Sequence, residues 1–322
     1  MPKTNSRNPH RSFRRTYNEE IKDNYEAPGA MQLIVDTFRY IFKDWKIFGG
    51  LILITMVVII LFVGLLSEGS MDTIRESIQN DFQDGELGTF AMSGLLLVST
   101  ITTGGLGSVF SDAQGLILVM AFLIIFLTAT YVIRHRLAEK KIGLRTALYN
   151  AMTPAVSTFV VLMTILVELL PVILVVIFYS SAIKTDFLDT PFYALMFVIF
   201  AFLMILLSGY LVSSSVIALI ATTAPGVYPI PALKMSRELV FGRRMKIVVR
   251  LLALFLIIAV VDTVIMMPVI LIDTALKSVV EIFANIPVVS FFLLFSMFFS
   301  FLFSSIYVYL IYRSLLDYKE ED

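Results

Sequence analysis

Two carboxylates stand where the surrounding sequence is almost wholly apolar. Glu168 lies in the string Val167-Glu168-Leu169-Leu170-Pro171, and Asp262 in Val260-Val261-Asp262-Thr263-Val264. A charged side chain at the centre of a bilayer costs about 2.5–3.5 kcal/mol on insertion scales, so each carboxyl must be neutral, paired or hydrated. One chemistry open to such groups is the binding of a proton or cation near Pro171 and Pro268, where a helix kink frees backbone carbonyls. The other reading is that both hydrogen bond to Ser, Thr or Tyr of neighbouring helices and fasten the bundle. No Lys or Arg is expected at comparable depth to pair with either.

A second group is basic. Lys234, Arg237, Arg243, Arg244, Lys246 and Arg250 fall within one short stretch. Basic residues at a membrane surface attract anionic lipid head groups at roughly 1 kcal/mol each, so the cluster is a candidate lipid contact. The alternative is that it serves only to set topology, since the other loops on its side are basic too.

Several chemistries are excluded by what is missing. Cysteine is absent, which removes disulfides, thiolate metal sites and a cysteine nucleophile. The two histidines, His10 in a polar tail and His135 between Arg134 and Arg136, have no nearby partners for metal binding or general base work. Without such a histidine, Ser213-Ser214-Ser215 reads as a small-residue surface for close helix packing rather than a nucleophile. Gly104-Gly105-Leu106-Gly107 has a phosphate-loop flavour but no following Gly-Lys-Ser/Thr, so a turn or a close helix contact is expected. No metal and no cofactor are expected.

The elements that position these groups follow from composition. The 322 residues are 58% hydrophobic and 16% charged, with a mean hydropathy of +0.88. Globular chains average roughly 45–50% apolar and about 25% charged. The excess lies in six runs, 48–66, 114–133, 155–180, 192–222, 248–272 and 287–312, each long enough to cross a hydrocarbon core as a helix. The run 192–222 exceeds what a span needs, so it tilts or extends beyond the bilayer. Residues 1–29 read as a disordered basic tail, 30–316 as one six-span membrane domain and 317–322 as an acidic end. The Ser-, Thr- and Gly-rich piece 91–107 reads as re-entrant or capping. Met71, Ile74, Ile78 and Phe82, at helical spacing among acidic residues, suggest an amphipathic helix over the outer end of the bundle.

The net charge is zero, 25 basic against 25 acidic residues, which gives nucleic acid no obvious purchase. That neutrality divides by side. With six spans, one side holds 22 of the 25 Lys and Arg; the other holds only Arg75, Lys184 and Lys277 together with 11 acidic residues, seven of them between Glu68 and Asp112. By the positive-inside rule the basic side is cytoplasmic and contains both termini. A seventh full crossing at 91–107 would scramble this segregation. Trp45 before the first span, and Tyr307, Tyr309 and Tyr312 at the end of the last, suit interfacial anchors.

Three stretches on the basic side precede spans. In 30–45, Met31, Ile34, Val35, Phe38, Ile41, Phe42 and Trp45 share one helical face, opposite Gln32, Asp36, Arg39 and Lys43. In 143–152, Leu144, Ala147, Leu148 and Ala151 oppose Arg145, Thr146, Tyr149 and Asn150, and Pro154 marks the turn into the next span. The third, 230–246, is helical in composition but less cleanly sided. The pattern is three copies of a unit made of an interfacial amphipathic helix, a span, an outer loop and a second span.

The string Ala232-Leu233-Lys234-Met235-Ser236-Arg237-Glu238-Leu239-Val240-Phe241-Gly242-Arg243-Arg244-Met245-Lys246-Ile247 resembles a segment of the glycerophosphodiester phosphodiesterase membrane-domain family and its YciC-like relatives. Leu144-Arg145-Thr146-Ala147-Leu148-Tyr149-Asn150-Ala151 looks like a looser copy. That family's membrane domain is sometimes fused to a soluble phosphodiesterase, and nothing in this chain resembles that catalytic part. The resemblance therefore implies an integral membrane role without enzymatic activity.

The expectation is an all-α polytopic bundle of six transmembrane helices, three interfacial helices and one re-entrant or capping segment, in the cell membrane. Its function is expected to be membrane-organising or lipid-handling. A small transporter or permease subunit using Glu168 and Asp262 is the alternative. The expected partners are membrane lipids and a further membrane or envelope protein.

Overall fold

The computed structural model describes residues 29–62, 112–185, 190–224, 226–279 and 288–320. The tail with His10, the acidic stretch 68–84, the piece 91–107 with its glycines, and the last two residues lie outside them. The described residues are all-helical, without strands. Ten helices follow in order: α1 Ala30–Lys43, α2 Trp45–Phe62, α3 Asp112–Leu137, α4 Leu144–Ala151, α5 Ala155–Glu168, α6 Leu170–Lys184, α7 Pro191–Ala221, α8 Pro229–Val240, α9 Arg244–Val279 and α10 Val288–Glu320. Five are long and apolar enough to cross a membrane, or six if the bent pair α4 and α5 is one span. The chain is a multi-pass membrane protein by the length and composition of these helices.

Three expected spans, 114–133, 248–272 and 287–312, correspond to unbroken helices longer than the apolar runs alone, and 192–222 to one of the same length. The 31-residue α7 measures about 46 Å at 1.5 Å per residue, and the 33-residue α10 about 50 Å. Both exceed a hydrocarbon core of about 30 Å, so each continues beyond it. The run 155–180 is different. It is interrupted at Leu169, two residues before Pro171, whose ring nitrogen has no hydrogen to give the helix ladder. Pro268 does not have this effect, and α9 runs through it without interruption.

Three short helices each precede an apolar one, as in the repeating pattern, although α5 has only 14 residues before its break at Leu169. The breaks fall at Asp44 between α1 and α2, at residues 152–154 between α4 and α5 with a 66° bend, and at residues 241–243 between α8 and α9. The third break corrects the expected helix over 230–246. Gly242 adopts φ +78°, a left-handed conformation that costs a residue with a side chain, and it divides the stretch into the end of α8 and the first turn of α9.

The first two breaks and the far ends of α3 and α7 gather at one end of the bundle, here termed the elbow end, and α8 starts soon after α7 ends there. Arg136 at the end of α3 pairs with Asp44, Nη2 to Oδ1 at 2.6 Å. Its neighbour Arg134 donates from Nη1 to the Thr223 carbonyl at 2.8 Å and from Nη2 to the Thr223 hydroxyl. The carbonyls at the C-terminus of α7 lack helical partners and carry the negative end of its dipole, so a guanidinium suits them. The basic run Arg134-His135-Arg136 thus joins the first elbow to the end of the fourth expected span.

The core sits around α3 and α10. About 61% of the most apolar stretch of α3 and 56% of that of α10 are buried by protein, against 17% in α9 and 6% in α7. Phe122 of α3 packs on Phe298 and Phe301 of α10, with centroids 5.7 and 4.6 Å apart. α1 also lies against α10, Phe38 meeting Phe303 at 4.8 Å. This corrects the expected face of α1: Leu33, Ile34, Thr37 and Ile41 are buried, while Met31, Val35, Phe42 and Trp45 are exposed. The apolar sector of α1 is wider than its contact with α10, so half of it stands free of protein. Tyr307 and Tyr309, expected as interfacial anchors, are instead buried in the core.

Candidate functional site

The break at Leu169 places Glu168 at the C-terminal end of α5, against α7. Glu168 is buried, 9% exposed. Ser215 Oγ donates to its Oε1 at 2.8 Å, and Ser208 Oγ donates to its backbone carbonyl at 2.9 Å. The second bond has a local cause: Pro171 and the interrupted helix leave carbonyls at the end of α5 without ordinary helical donors. Glu168 Oε2 is buried with no hydrogen-bond partner. The charge of Arg237, on α8, also acts on this carboxylate. Arg237 comes near because α8 packs along both α7 and α5, but it forms no ion pair with Glu168 among the described residues.

The three consecutive serines of α7 divide their work. Ser213 and Ser214 donate to the Tyr210 and Leu211 carbonyls three residues back, whereas Ser215 reaches across to Glu168. A further link, 3.4 Å between the Thr158 and Thr222 hydroxyls, joins α5 to the end of α7 nearer the elbows. Ser236 on the buried face of α8 has no partner for its hydroxyl. The junction of α5, α7 and α8 is the polar seam of the bundle.

Asp262 belongs to another helix pair. It is 3% exposed. Ser296 Oγ donates to Oδ1 at 2.6 Å, and Ser300 Oγ lies 3.0 Å from Oδ1 and 3.1 Å from Oδ2. Ser296 and Ser300 are four residues apart on α10, so they stand one above the other on one helical face and grip the carboxyl between them. Glu168 and Asp262 share no partner: one is held by a serine of α7, the other by two of α10. Spacing along α10 carries the signal that would have paired Asp262 with these serines, but nothing in the sequence says that α9 packs there.

The basic cluster is likewise divided by the fold. Lys234, Arg237 and Lys246 are exposed, Arg243 and Arg244 are half-buried, and Arg250 is 8% exposed. The Arg250 carbonyl accepts from Tyr307 Oη at 3.3 Å, which sets this residue against α10 rather than on an open surface. Arg244 lies over the Tyr210 ring, 4.1 Å from its centroid, a cation–π contact that holds the start of α9 on α7. The cluster is thus one exposed set and one built into helix packing.

His135 accepts its place from α3 itself: Nδ1 is 2.9 Å from the Tyr131 carbonyl and the two rings are 4.1 Å apart. Among the described residues no three or more His, Cys, Asp and Glu gather as metal ligands would. Asp273, 3% exposed, pairs with Lys277 at 3.2 Å on α9; Lys277 is expected from the sequence in an outer loop, and α9 runs through it instead.

Comparison of the chain with family models, with curated proteins and with solved structures finds no match in any of the three.

Proposed function

We propose that this is a non-enzymatic protein of the cell membrane, with both termini cytoplasmic, that organises or handles lipid through basic helices at its elbow end. The observation that carries this reading is the mixture of side chains around α8 and the start of α9. Lys234, Arg237 and Lys246 are exposed there beside the exposed apolar side chains of Tyr228, Ile230, Phe241 and Met245. Neither group alone points to a lipid surface. Together they match the interfacial layer of a bilayer, where apolar side chains enter the acyl boundary and cations meet phosphates. The excess of Lys and Arg on this side supports a cytoplasmic position for it by the positive-inside rule.

The test is retention of lipid by the full chain in detergent. Native mass spectrometry should find phosphatidylglycerol retained in preference to phosphatidylcholine, and the triple variant Lys234→Ala, Arg237→Ala, Lys246→Ala should lose that preference. Retention unchanged in the variant would overturn the proposal.

A second reading, a small transporter or permease subunit, is supported by the Glu168 carboxylate with one oxygen lacking a partner in a polar seam. Proteoliposome flux that ends with Glu168→Gln or Asp262→Asn would favour it; flux indifferent to both changes would leave these residues as helix fasteners.

A further inference from the structure

An open groove of about 630 Å³ lies between α3 and α4. Its lining changes character from one element to the other. Arg145, Thr146 and Tyr149 of α4 supply polar groups, while Ile124 of α3, Leu148 and Met152 supply an apolar wall. Arg145 has no ion-pair partner among the described residues and is exposed, as is Tyr149 at 83%. α4 begins at Gly143 with no side-chain cap, so the free N–H groups of its first turn add to the positive potential around Arg145. Lys140 and Lys141, both exposed, precede it in the chain.

We propose that this groove seats one anionic phospholipid, its phosphate against Arg145 and the first turn of α4 and an acyl chain along Ile124, Leu148 and Met152. Charge complementarity selects the head group. The apolar wall selects a lipid over a free phosphate, because an inorganic anion gains nothing from three aliphatic side chains. The position selects the source: α3 is a membrane-spanning helix, and α4 lies at its elbow end, where a leaflet's phosphates meet its acyl chains. The site is separate from the α8–α9 elbow and does not depend on it.

Photo-crosslinking tests the proposal with the full chain in vesicles. The probe is phosphatidylglycerol carrying a diazirine in one acyl chain, with the labelled peptides read by mass spectrometry. Label should fall on the α4 peptide containing Leu148 and Met152, be displaced by excess unlabelled phosphatidylglycerol, and resist both phosphatidylcholine and inorganic phosphate. Arg145→Ala should lower labelling about fivefold, the effect of one basic residue at a lipid surface. Met152→Trp, which fills the groove, should abolish it. Arg145 is exposed, so thermal unfolding of Arg145→Ala should stay near that of the unaltered chain; Met152 is partly buried against the core, so Arg145→Ala decides the matter if Met152→Trp fails to fold. Equal labelling in Arg145→Ala, or displacement by phosphatidylcholine as effective as by phosphatidylglycerol, would overturn the proposal. Displacement by inorganic phosphate would replace it with a free-anion site. Loss of label in the α8–α9 triple variant but not in Arg145→Ala would also overturn it, by moving the lipid to the other elbow.

Discussion

Arg136 and Asp44 meet at 2.6 Å with side chains only 24% and 11% exposed, and through them the end of α3 holds the break between α1 and α2. The pair connects residues far apart in sequence at a point where the chain changes direction. Removing one partner of a buried pair strands the other charge, which costs more than the pair contributes when intact. Arg136→Leu and Asp44→Leu should each destabilise by about 2–3 kcal/mol, and the double variant by less than the sum. Thermal unfolding of the four proteins in one detergent measures the coupling; strictly additive losses would show that the pair carries no energy of its own.

The Asp262 site should respond asymmetrically. Ser296→Ala with Ser300→Ala leaves a buried carboxyl without its donors and should cost about 1–3 kcal/mol. Asp262→Leu leaves two serines that can turn back to carbonyls of α10, as Ser304 and Ser305 already do on the same helix, and should cost about 1 kcal/mol or less. A larger loss from Asp262→Leu than from the serine pair would show that the carboxyl does more than join α9 to α10.

Glu168 has one satisfied and one unsatisfied oxygen, so removing its donor and neutralising its charge should differ. Ser215→Ala takes away the donor to Oε1 and should destabilise by about 1–3 kcal/mol. Glu168→Gln keeps an acceptor for Ser215 and should leave the unfolding temperature close to that of the parent. A loss of about 1 kcal/mol or more in Glu168→Gln, measured by thermal unfolding, would show that the carboxylate does more there than accept from Ser215.

Gly50 permits the close approach of α2 and α4. A Cβ built there would lie 3.0 Å from Leu144 Cδ2, the far end of a flexible side chain. Gly50→Ala should be nearly neutral, since the higher helix propensity of alanine, about 1 kcal/mol, offsets the small displacement of Leu144. Gly50→Leu should cost about 1–3 kcal/mol by overpacking, and Leu144→Ala should recover part of that loss. Unfolding measurements on the single and double variants decide whether α2 and α4 touch at this point.

How much of this was legible beforehand varies by residue. The helices, the apolar runs and the three places where a short helix precedes a long one follow from hydropathy and from 3.6-residue periodicity, which are local properties. Glu168 and Asp262 stood out because charge within an apolar run is costly wherever the run packs. Their partners did not. The sequence offers many serines, and only the packing of α5 on α7 and α9 on α10 selects Ser215, Ser296 and Ser300. The same holds for the basic cluster: six cations look alike in a string, yet Arg244 lies on Tyr210 and Arg250 is buried while Lys234 and Lys246 stay exposed.

The sequence by itself therefore determined that the chain is helical and that it crosses a membrane several times, because in hydrocarbon each backbone group must find its partner within its own helix. Only the tertiary structure decided that Arg136 reaches Asp44, that Ser215 reaches Glu168, and that Arg145 stands at a groove without an ion-pair partner among the described residues. Those relationships depend on which helix lies beside which. Apolar side chains attract one another without direction, and small side chains and hydrogen bonds spread thinly along the chain make that choice.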